Sequence, residues 1–489
     1  MAFPPSIGVD EQTHRARAAQ RVWEATSIRQ RLCHIRSLRR LLVTECDALC
    51  AAIGQEIGKT TAESIGSEVL PTAEACLFLE REAARLLRPH TVPRRNRPLW
   101  LWRQRDVIHR RPRGVIGIIG TWNYPFFLSG VQIVQALTAG NAVLWKPSEV
   151  APAVAALLHS LILKAGFPAD LLQVMPATRE AGAQLAEAAV DHVVFTGGVE
   201  VGRRLAARLG ERLVSSTLEL SGCDAQFVLD DADVQLAARA AWFGSTINRG
   251  QTCVAVRRSF VARAVYPAFC AALKPLAESA QPRHLATPSQ AEQGRRLVAA
   301  ALADGAKLLG PPEQAPAADP MAMMQAVLID ARAEMAVCRE ASFAPVLSVL
   351  PFDTLDEALA MVVQCPYRLG ASVFTGSPAR AEPIATRVRS GMVTVNDVLV
   401  PTSHPATPFG GNGDSGWGVT QGAEGLLDMT VPQVVSARGG TWRPHYNLTT
   451  PGAPSQEELL RGLLESAHAP TLWRRWRGWR RLLRALWRG

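Results

Sequence analysis

The amino-acid sequence predicts an α/β protein with two domains, each built around a parallel β-sheet, and an additional β-ribbon. Three observations lead to this prediction: the chain length, the alternation of short apolar runs with helical stretches, and the separation of these runs into two sets. A chain of 489 residues exceeds what one hydrophobic core normally supports. Its composition, 48% hydrophobic and 20% charged without a long low-complexity tract, is typical of a globular protein.

The chain is expected to begin with a helical layer over residues 12–90. Apolar residues recur there at helical spacing and lie close to one face, namely Trp23, Ile28, Leu32, Ile35, Leu38, Leu41 and Leu42. In the following residues, 94–114, apolar and polar side chains alternate from Leu99 to Ile108, with Pro and Arg on either side. This alternation predicts the β-ribbon.

Two sets of apolar runs predict the two sheets. The runs GVIGIIG, NAVLWK, LLQVMP, HVVFTGG and STLELSG lie between residues 114 and 225, and helical stretches separate them. A second set follows, with AQFVLDD, RRSFVARAV, APVLSVLPF, ASVFTG and GMVTVND. Because strands that alternate with helices form parallel sheets, we expect one domain over 1–225 and another over 226–415, facing each other across a cleft. Residues 416–440 and the tail 441–489 are expected to form separate segments.

Composition and charge argue against several classes of protein. The N-terminal residues include Asp10, Glu11 and several Arg instead of the apolar run of a signal peptide, and the apolar runs are too short to span a membrane. The nine cysteines are scattered without metal-ligand spacing, so we expect a reduced, cytoplasmic chain without a structural metal. The net charge of +10 is not accompanied by a nucleic-acid-binding motif, so no nucleic-acid partner is expected.

Glycines and charged residues follow two strands of the first set. In VVFTGGVEVGRRL, Gly197, Gly198 and Gly202 belong to a strand–turn–helix pattern whose backbone N–H groups can bind phosphate, although an ordinary β–α turn fits equally well. In WKPSE, Lys146 and Glu149 come at the end of a strand, where α/β sheets bind nucleotides. They would contact a ribose or, alternatively, form a solvated pair at a helix start.

Three further side chains are suited to catalysis. Glu219 ends the strand in TLELSG and could activate water, although an isolated Glu is more often solvated there. Asn123 in GTWNYP could donate to an oxyanion, or cap its own backbone in a turn. Cys253 in GQTC is either a nucleophile or one buried thiol among nine.

Taken together, these motifs resemble the aldehyde dehydrogenase superfamily over about residues 10–435. Seven motifs occur in the family's order: WNYP at 122–125, KPSE at 146–149, FTGG at 195–198, ELSG at 219–222, GQTC at 250–253, SFAPV at 342–346 and PFGGNGDSG at 408–416. WNYPF and the short N-terminal region are most similar to the branch that contains fatty and aromatic aldehyde dehydrogenases.

The resemblance implies a role for each catalytic residue. Cys253 would attack the aldehyde carbon as its thiolate, and Asn123 and the backbone N–H of Cys253 would hold the oxyanion of the thiohemiacetal. Glu219 would activate the water that hydrolyses the thioester and releases the carboxylic acid. The implied fold is a Rossmann-like cofactor domain, a catalytic domain and an oligomerisation ribbon, and the implied assembly is a homodimer.

The cofactor implied by the resemblance is NAD, with NADP as an alternative. Its predicted contacts are Trp122, Lys146, Glu149, Gly197, Gly198, Gly202 and Phe343. Because Glu149 would repel a 2′-phosphate, NAD is favoured.

Several residues depart from the family pattern. Ala341 stands where the family has the Glu that binds the nicotinamide ribose, and Glu340, one residue away, could replace it. Gly198 stands where a pyrophosphate-binding Ser is common. Thr246 and Ile247 stand where many relatives carry aromatic residues along the substrate tunnel. They predict a wider or more aliphatic tunnel and a hydrophobic, long-chain aldehyde.

The C-terminal tail has the pattern of a basic amphipathic helix. Leu472, Trp476, Trp479, Leu483 and Leu486 share one helical face, and seven Arg with no acidic residue lie between 467 and 489. This pattern predicts binding to an anionic membrane surface. Packing on the enzyme's own body or on a dimer partner, and RNA binding, are the alternatives. Gly478 is expected to weaken the helix locally.

Two other functions stay open at the level of sequence. An acyl-thioester reductase of the same fold would run the first half-reaction backwards, but it would not need Glu219. A non-catalytic, membrane-associated binding or scaffold protein is favoured by Ala341 and Gly198. The presence of Cys253, Glu219 and Asn123 argues against it.

Overall fold

A computed structural model of the chain describes residues 8–101, 103–311, 319–441, 443–452 and 456–487. These residues divide into two compact units. The larger unit holds residues up to Leu87 together with Arg111–Val431, and the smaller one holds Arg88–Arg110 together with Pro432 onwards.

The described residues form eighteen α-helices, numbered in chain order: α1 Val9–Glu24, α2 Ile28–Thr44, α3 Cys46–Ile57, α4 Thr61–Ser64, α5 Leu70–Leu86, α6 Phe127–Ala139, α7 Pro152–Lys164, α8 Arg179–Glu187, α9 Val199–Glu211, α10 Val234–Thr246, α11 Tyr266–Glu278, α12 Pro288–Ala303, α13 Ala336–Arg339, α14 Leu355–Val362, α15 Pro378–Arg387, α16 Gly422–Asp428, α17 Glu457–His468 and α18 Leu472–Trp487.

Twenty strands lie among the same described residues: β1 His90–Thr91, β2 Gln104–Pro112, β3 Val115–Ile119, β4 Ala142–Lys146, β5 Leu172–Val174, β6 His192–Thr196, β7 Ser215–Glu219, β8 Asp224–Val228, β9 Val256–Ala262, β10 Arg283–His284, β11 Lys307–Leu309, β12 Ala322–Met323, β13 Ala326–Ile329, β14 Val346–Phe352, β15 Tyr367–Arg368, β16 Gly370–Phe374, β17 Met392–Val395, β18 Asn412–Gly413, β19 Gly416–Trp417 and β20 Thr430–Arg438.

The predicted helical layer is confirmed as α1–α5. The side chain of Ser27 and that of Gln30 cap the start of α2 reciprocally, and the helix buries Leu32, Ile35, Leu38 and Leu42 as its periodicity predicts. A π-helical turn, Ile65–Val69, joins α4 to α5. Pro71 is the second residue of α5, a position at the start of a helix where the missing N–H of proline is tolerated.

The first sheet has the strand order β19-β7-β6-β3-β4-β5. All its strands are parallel except β19. The prediction of a parallel sheet from the alternation of apolar runs and helices is therefore confirmed. The register pairs Ile119 with Lys146 and with Phe195, and Thr196 with Glu219. The carboxyl ends of these strands therefore lie side by side along one edge, which is where α/β sheets bind ligands.

The second sheet has the order β11-β13-β14-β9-β8-β16-β17. All five predicted runs are strands in it, and they pair in parallel. Two further strands, β11 and β13, were not predicted. They are three and four residues long, too short for a periodic pattern. Helices pack on both faces of this sheet and form two hydrophobic clusters with it.

The β-ribbon is shorter than the prediction. Strand β2 begins at Gln104 and lies between β1 and β20, whereas Arg94–Asn96 and Leu99–Leu101 are 3₁₀ turns. The alternation that begins at Leu99 is therefore strand only in its second half. Pro93 and Pro98 precede the two turns, and proline lacks the N–H that a strand needs to pair.

The C-terminal residues form a helical hairpin. Helices α17 and α18 pack against each other, and three residues join them. The predicted tail helix is confirmed over Leu472–Trp487. Among the helices of the described ranges, none combines the length and the apolar character that crossing a membrane requires.

Candidate active site

Cys253 lies in the loop between α10 and β9 and lines a cavity of about 990 Å³. A 3₁₀ turn, Ile247–Gly250, leads into this loop, and its Asn248 and Arg249 have φ angles of 47° and 58°. Gly250 also has a positive φ, and a Cβ there would lie 2.6 Å from the backbone of Ala344. Only glycine fits that position. Two non-glycine residues held in the left-handed region just before the thiol are typical of functional sites.

The thiol of Cys253 is strongly biased towards its neutral form. Burial raises the pKa of Cys253 to about 12, and the charges of Glu219 and Asp224 add to the effect. Hydrogen bonds from the backbone N–H groups of Val254 and Cys253 act in the opposite direction but do not outweigh it. A nucleophilic attack by this thiol would therefore require a base that removes its proton.

Glu219 is buried at the carboxyl end of β7, so it is not the solvated Glu of the alternative interpretation. Its carboxylate accepts hydrogen bonds from the hydroxyls of Thr420 and, at 3.3 Å, Thr196. Burial raises the pKa of Glu219 to about 7, although both hydroxyls favour the ionised form. A carboxyl group with this pKa can accept and release a proton near neutral pH.

Asn123 is packed directly against the loop that carries Cys253. Its amide nitrogen donates to the backbone carbonyl of Gln251 at 3.0 Å, and its backbone carbonyl accepts from the side chain of Asn248 at 3.0 Å. The amide therefore reaches the loop of Cys253 instead of capping only its own turn. The next residue, Tyr124, makes a 2.7 Å hydrogen bond between its hydroxyl and that of Thr252. Asn123, Cys253 and Glu219 thus belong to one site.

A buried ion pair behind this turn was not predicted from the sequence. Lys59 Nζ lies 2.6 Å from Glu68 Oε1, and both side chains are almost completely excluded from solvent. The second carboxylate oxygen of Glu68, which lies in the π-helical turn, accepts the backbone N–H groups of Phe126 and Phe127 at the start of α6. The Lys59 ammonium also lies 3.7 Å from the centre of the Tyr124 ring. The pair thus holds the turn that carries Asn123.

Lys146 and Glu149 form a polar pair at the carboxyl end of β4. Lys146 Nζ lies 2.9 Å from Glu149 Oε2, and Arg179 Nε lies 3.4 Å from the other carboxylate oxygen. Partial burial opposes ionisation of Glu149, but the Lys146 hydrogen bond and charge, aided by Arg179, outweigh it and lower its pKa. The predicted ribose contacts are therefore adjacent, and they carry a basic neighbour that the sequence did not reveal.

The glycine turn after β6 fits a phosphate group. Gly198 is the residue before α9, and no side chain caps this helix start, so the first N–H groups of the helix have no side-chain partner. A Cβ at Gly198 would meet nothing within 4 Å, which leaves open space at the turn. By contrast, a Cβ at Gly202 would lie 2.6 Å from Leu220, so this glycine allows α9 to pack closely. Gly197 donates its N–H to the carbonyl of Glu219 at 3.0 Å.

Trp122 and Phe343, the other predicted cofactor contacts, are neighbours, with ring centres 6.0 Å apart. Ala341 provides no carboxylate next to them. Glu340, which the sequence offered as an alternative carboxylate, instead pairs with Arg296 on α12 at 2.9 Å. Any contact of Glu340 with a ribose would require that ion pair to open.

Comparison with known proteins gives a consistent picture. The model of the aldehyde dehydrogenase family matches residues 7–435. A 4,4′-diapolycopene aldehyde oxidase from a Methylomonas species is 33% identical over 432 residues, which cover 87% of this chain and 80% of that protein.

Solved structures agree in fold. The crystal structure of a Mycobacterium tuberculosis aldehyde dehydrogenase complexed with NAD+ superposes with a TM-score of 0.81 at 27% identity, covering 88% of this chain and 91% of the other. An NADP-dependent glyceraldehyde-3-phosphate dehydrogenase from Bacillus halodurans, complexed with NADP, gives a TM-score of 0.82 at 28% identity, with the same coverage.

Proposed function

Because this chain belongs to the aldehyde dehydrogenase family and is an NAD(P)-dependent enzyme, we propose that it oxidises a hydrophobic aldehyde to the carboxylic acid through Cys253. We further assign residues 1–225 to the cofactor domain and 226–415 to the catalytic domain. A cytoplasmic location, at the inner face of a membrane, is part of the same proposal.

The lining of the cavity is the observation that supports a hydrophobic substrate. The large apolar side chains around Cys253 are Tyr124, Phe127, Leu128, Trp242, Phe243, Ile247, Val254, Val398, Leu399, Val400 and Phe409. Thr246 and Ile247, at the positions expected to widen the tunnel, are both among the lining residues. A cavity of about 990 Å³ is at the upper end of ordinary ligand pockets. It has room for a long aliphatic or polyene chain.

The catalytic residues suggest how the two half-reactions share one proton acceptor. Glu219, with a pKa of about 7, accepts the proton of the Cys253 thiol, so that the thiolate attacks the aldehyde carbon. The Asn123 amide and the backbone N–H of Cys253 stabilise the oxyanion. Glu219 returns this first proton to solvent before the second half-reaction. After oxidation to the thioester, Glu219 takes a proton from the attacking water, the C–S bond breaks, the Cys253 sulfur leaves as the thiolate and the acid is released.

The residues at the sheet edge would hold the cofactor. When bound, NAD(P)+ supplies the hydride acceptor. Lys146 and Glu149 would bind the adenine ribose, the turn at Gly197 and Gly198 the pyrophosphate, and Trp122 with Phe343 the nicotinamide end. Glu149 favours NAD because its charge repels a 2′-phosphate. Its ion pair with Arg179 weakens this preference and supports use of NADP as well.

A homodimer is the proposed assembly. Strand β20 lies at the edge of the three-stranded sheet, and its Val431, Val434 and Val435 are 39%, 60% and 46% exposed. An exposed apolar edge strand is suited to pairing with another chain.

The function is tested by measuring NAD(P)H formation and acid release with aldehydes from short to long chain. We expect kcat/KM to rise with chain length. Cys253→Ala should lower kcat by at least about 1,000-fold. Glu219→Gln should slow both the first release of NAD(P)H and the steady-state turnover, because Glu219 is the proposed base in both half-reactions. Cys33→Ala, which removes an exposed thiol outside the site, should keep full activity.

Three results would contradict the proposal. Higher kcat/KM for small aromatic aldehydes than for long-chain ones would exclude the substrate class. NAD(P)H-dependent reduction of an acyl thioester without oxidation of any aldehyde would identify a reductase. Absence of both activities, with intact fold and bound cofactor, would favour a binding or scaffold protein.

A further inference from the structure

Helix α18 packs on α17 through a face that carries one glycine and one leucine. Gly478 and Leu482 are the residues of α18 that are buried. A Cβ at Gly478 would overlap the backbone of Ser466, and one at Gly462 would lie 2.7 Å from the backbone nitrogen of Leu482. The two glycines therefore allow the two helices to cross closely. Gly478, expected from the sequence to weaken the helix, is a packing residue.

This packing leaves the large apolar side chains of α18 other than Leu482 facing outwards. Six of them are between 44% and 90% exposed: Leu472, Trp476, Trp479, Leu483, Leu486 and Trp487. At 3.6 residues per turn they occupy an arc of about 100° on the helix. Such a contiguous apolar patch is uncommon on a surface that faces only water. We call these six residues the apolar arc.

Arginine side chains border the apolar arc. Helix α18 carries six Arg and no acidic residue. Two of them, Arg477 and Arg481, pair with Glu465 on α17 at 3.2 and 2.9 Å, and so hold the hairpin together. The guanidinium of Arg480 lies 4.7 Å from the centre of the Trp476 ring. Arg474, Arg475, Arg480 and Arg484 are exposed.

We propose that the α17–α18 hairpin binds the surface of an anionic membrane, with α18 lying flat at the level of the lipid headgroups. Tryptophan and leucine side chains prefer the boundary between headgroups and acyl chains, and arginines attract anionic lipids. Because Gly462, Gly478 and Glu465 fix the opposite face of α18 on α17, the apolar arc stays available for the bilayer. The inference goes beyond aldehyde oxidation and does not depend on it.

The test is flotation of the full-length protein with vesicles of phosphatidylcholine, with and without phosphatidylglycerol, at about 0.15 M salt. We expect binding to the vesicles that contain phosphatidylglycerol and little binding to the others. Replacing Arg474, Arg475, Arg480 and Arg484 together with Gln should weaken binding by at least about 50-fold. Trp476→Gln combined with Leu483→Gln should weaken it at least about 10-fold.

Matched controls separate a specific effect from a general one. Arg21, Arg29, Arg40 and Arg81 are exposed on α1, α2 and α5. Their joint replacement with Gln removes the same charge, and we expect it to leave vesicle binding unchanged. Leu213→Gln with Val363→Gln removes apolar side chains that are 94% and 63% exposed elsewhere, again without effect. Cys253→Ala should bind vesicles like the wild type, so the result is independent of catalysis.

Three outcomes would overturn the proposal. The first is absence of flotation with anionic vesicles. The second is an equal loss of binding in the controls. The third is evidence for another partner in the absence of vesicle binding. The protein would then bind a single-stranded RNA, or light scattering would show that the Trp476/Leu483 variant no longer forms an oligomer that the wild type forms.

Discussion

At the scale of single residues, the carboxyl group of Glu219, the proposed catalytic base, also makes the stability of the fold depend on pH. Burial raises its pKa to about 7 from an ordinary value of 4.5. The folded protein therefore holds this proton more tightly than the unfolded chain does. The resulting stabilisation is complete below about pH 4.5 and is lost as the pH rises through about 7.

We therefore predict that Glu219→Gln reduces the pH dependence of the melting temperature between about pH 4.5 and 7. Above pH 7 the variant should melt at a higher temperature than the wild type, because no buried carboxylate has to be ionised. Scanning calorimetry across this pH range measures the melting temperatures of both proteins. The control is Glu200→Gln, which changes an exposed carboxylate on α9. An unchanged pH slope would contradict the interpretation.

The Lys59–Glu68 pair gives a second prediction. Removing one partner leaves the other charge buried, so Lys59→Met and Glu68→Gln should each lower the free energy of unfolding by about 3–5 kcal/mol. The double variant should recover much of this loss. Its kcat should nevertheless stay low, because the turn that carries Asn123 loses the ammonium above Tyr124 and the carboxylate at Phe126 and Phe127.

Urea denaturation and steady-state kinetics on the three variants distinguish these effects. Recovery of both stability and kcat in the double variant would show that the pair only stabilises the fold.

The charges of Lys59 and Glu68 are nine residues apart and belong to different turns, so no spacing in the sequence indicates that they meet. By contrast, the proximity of Asn123, Glu219 and Cys253, the proposed catalytic residues, could be predicted because each lies in a short motif.

At the scale of elements, the glycines of the hairpin decide how α17 and α18 meet. Gly478→Ala should raise the intrinsic helix propensity of α18 by about 1 kcal/mol, but the new methyl group would overlap α17. We expect the clash to dominate and the backbone amides of α17 to exchange faster with deuterium. Gly182→Ala in α8, where a Cβ meets nothing within 4 Å, should cause no such change.

The predictability of the elements follows their length and context. Ten strands were predicted because each contains an apolar run between helices, and all ten exist. The short strands β11 and β13 were missed for lack of a pattern. The ribbon was predicted to begin too early in the chain. The alternation that starts at Leu99 predicts a strand, but Pro93 and Pro98 prevent strand pairing there. The exposure of the apolar arc also depends on tertiary packing that a helical wheel does not contain.

At the scale of the whole molecule, we expect the exposed edge of β20 to form the contact between the two copies of the proposed homodimer. Val434→Lys places a charge on an apolar edge residue that is 60% exposed, and we expect it to convert the proposed homodimer to monomers. Light scattering after size-exclusion chromatography measures the mass. Leu213→Lys, at a residue that is 94% exposed in the larger unit, should leave the mass unchanged, and a Val434→Lys variant that remains dimeric would place the interface elsewhere.

The protonated state of Cys253 has a consequence for the lifetime of the enzyme. Peroxides and alkylating agents react with thiolates and hardly with thiols. With a pKa of about 12, the resting site keeps its sulfur in the unreactive form. We therefore expect peroxides and alkylating agents to inactivate the enzyme slowly in the absence of substrate.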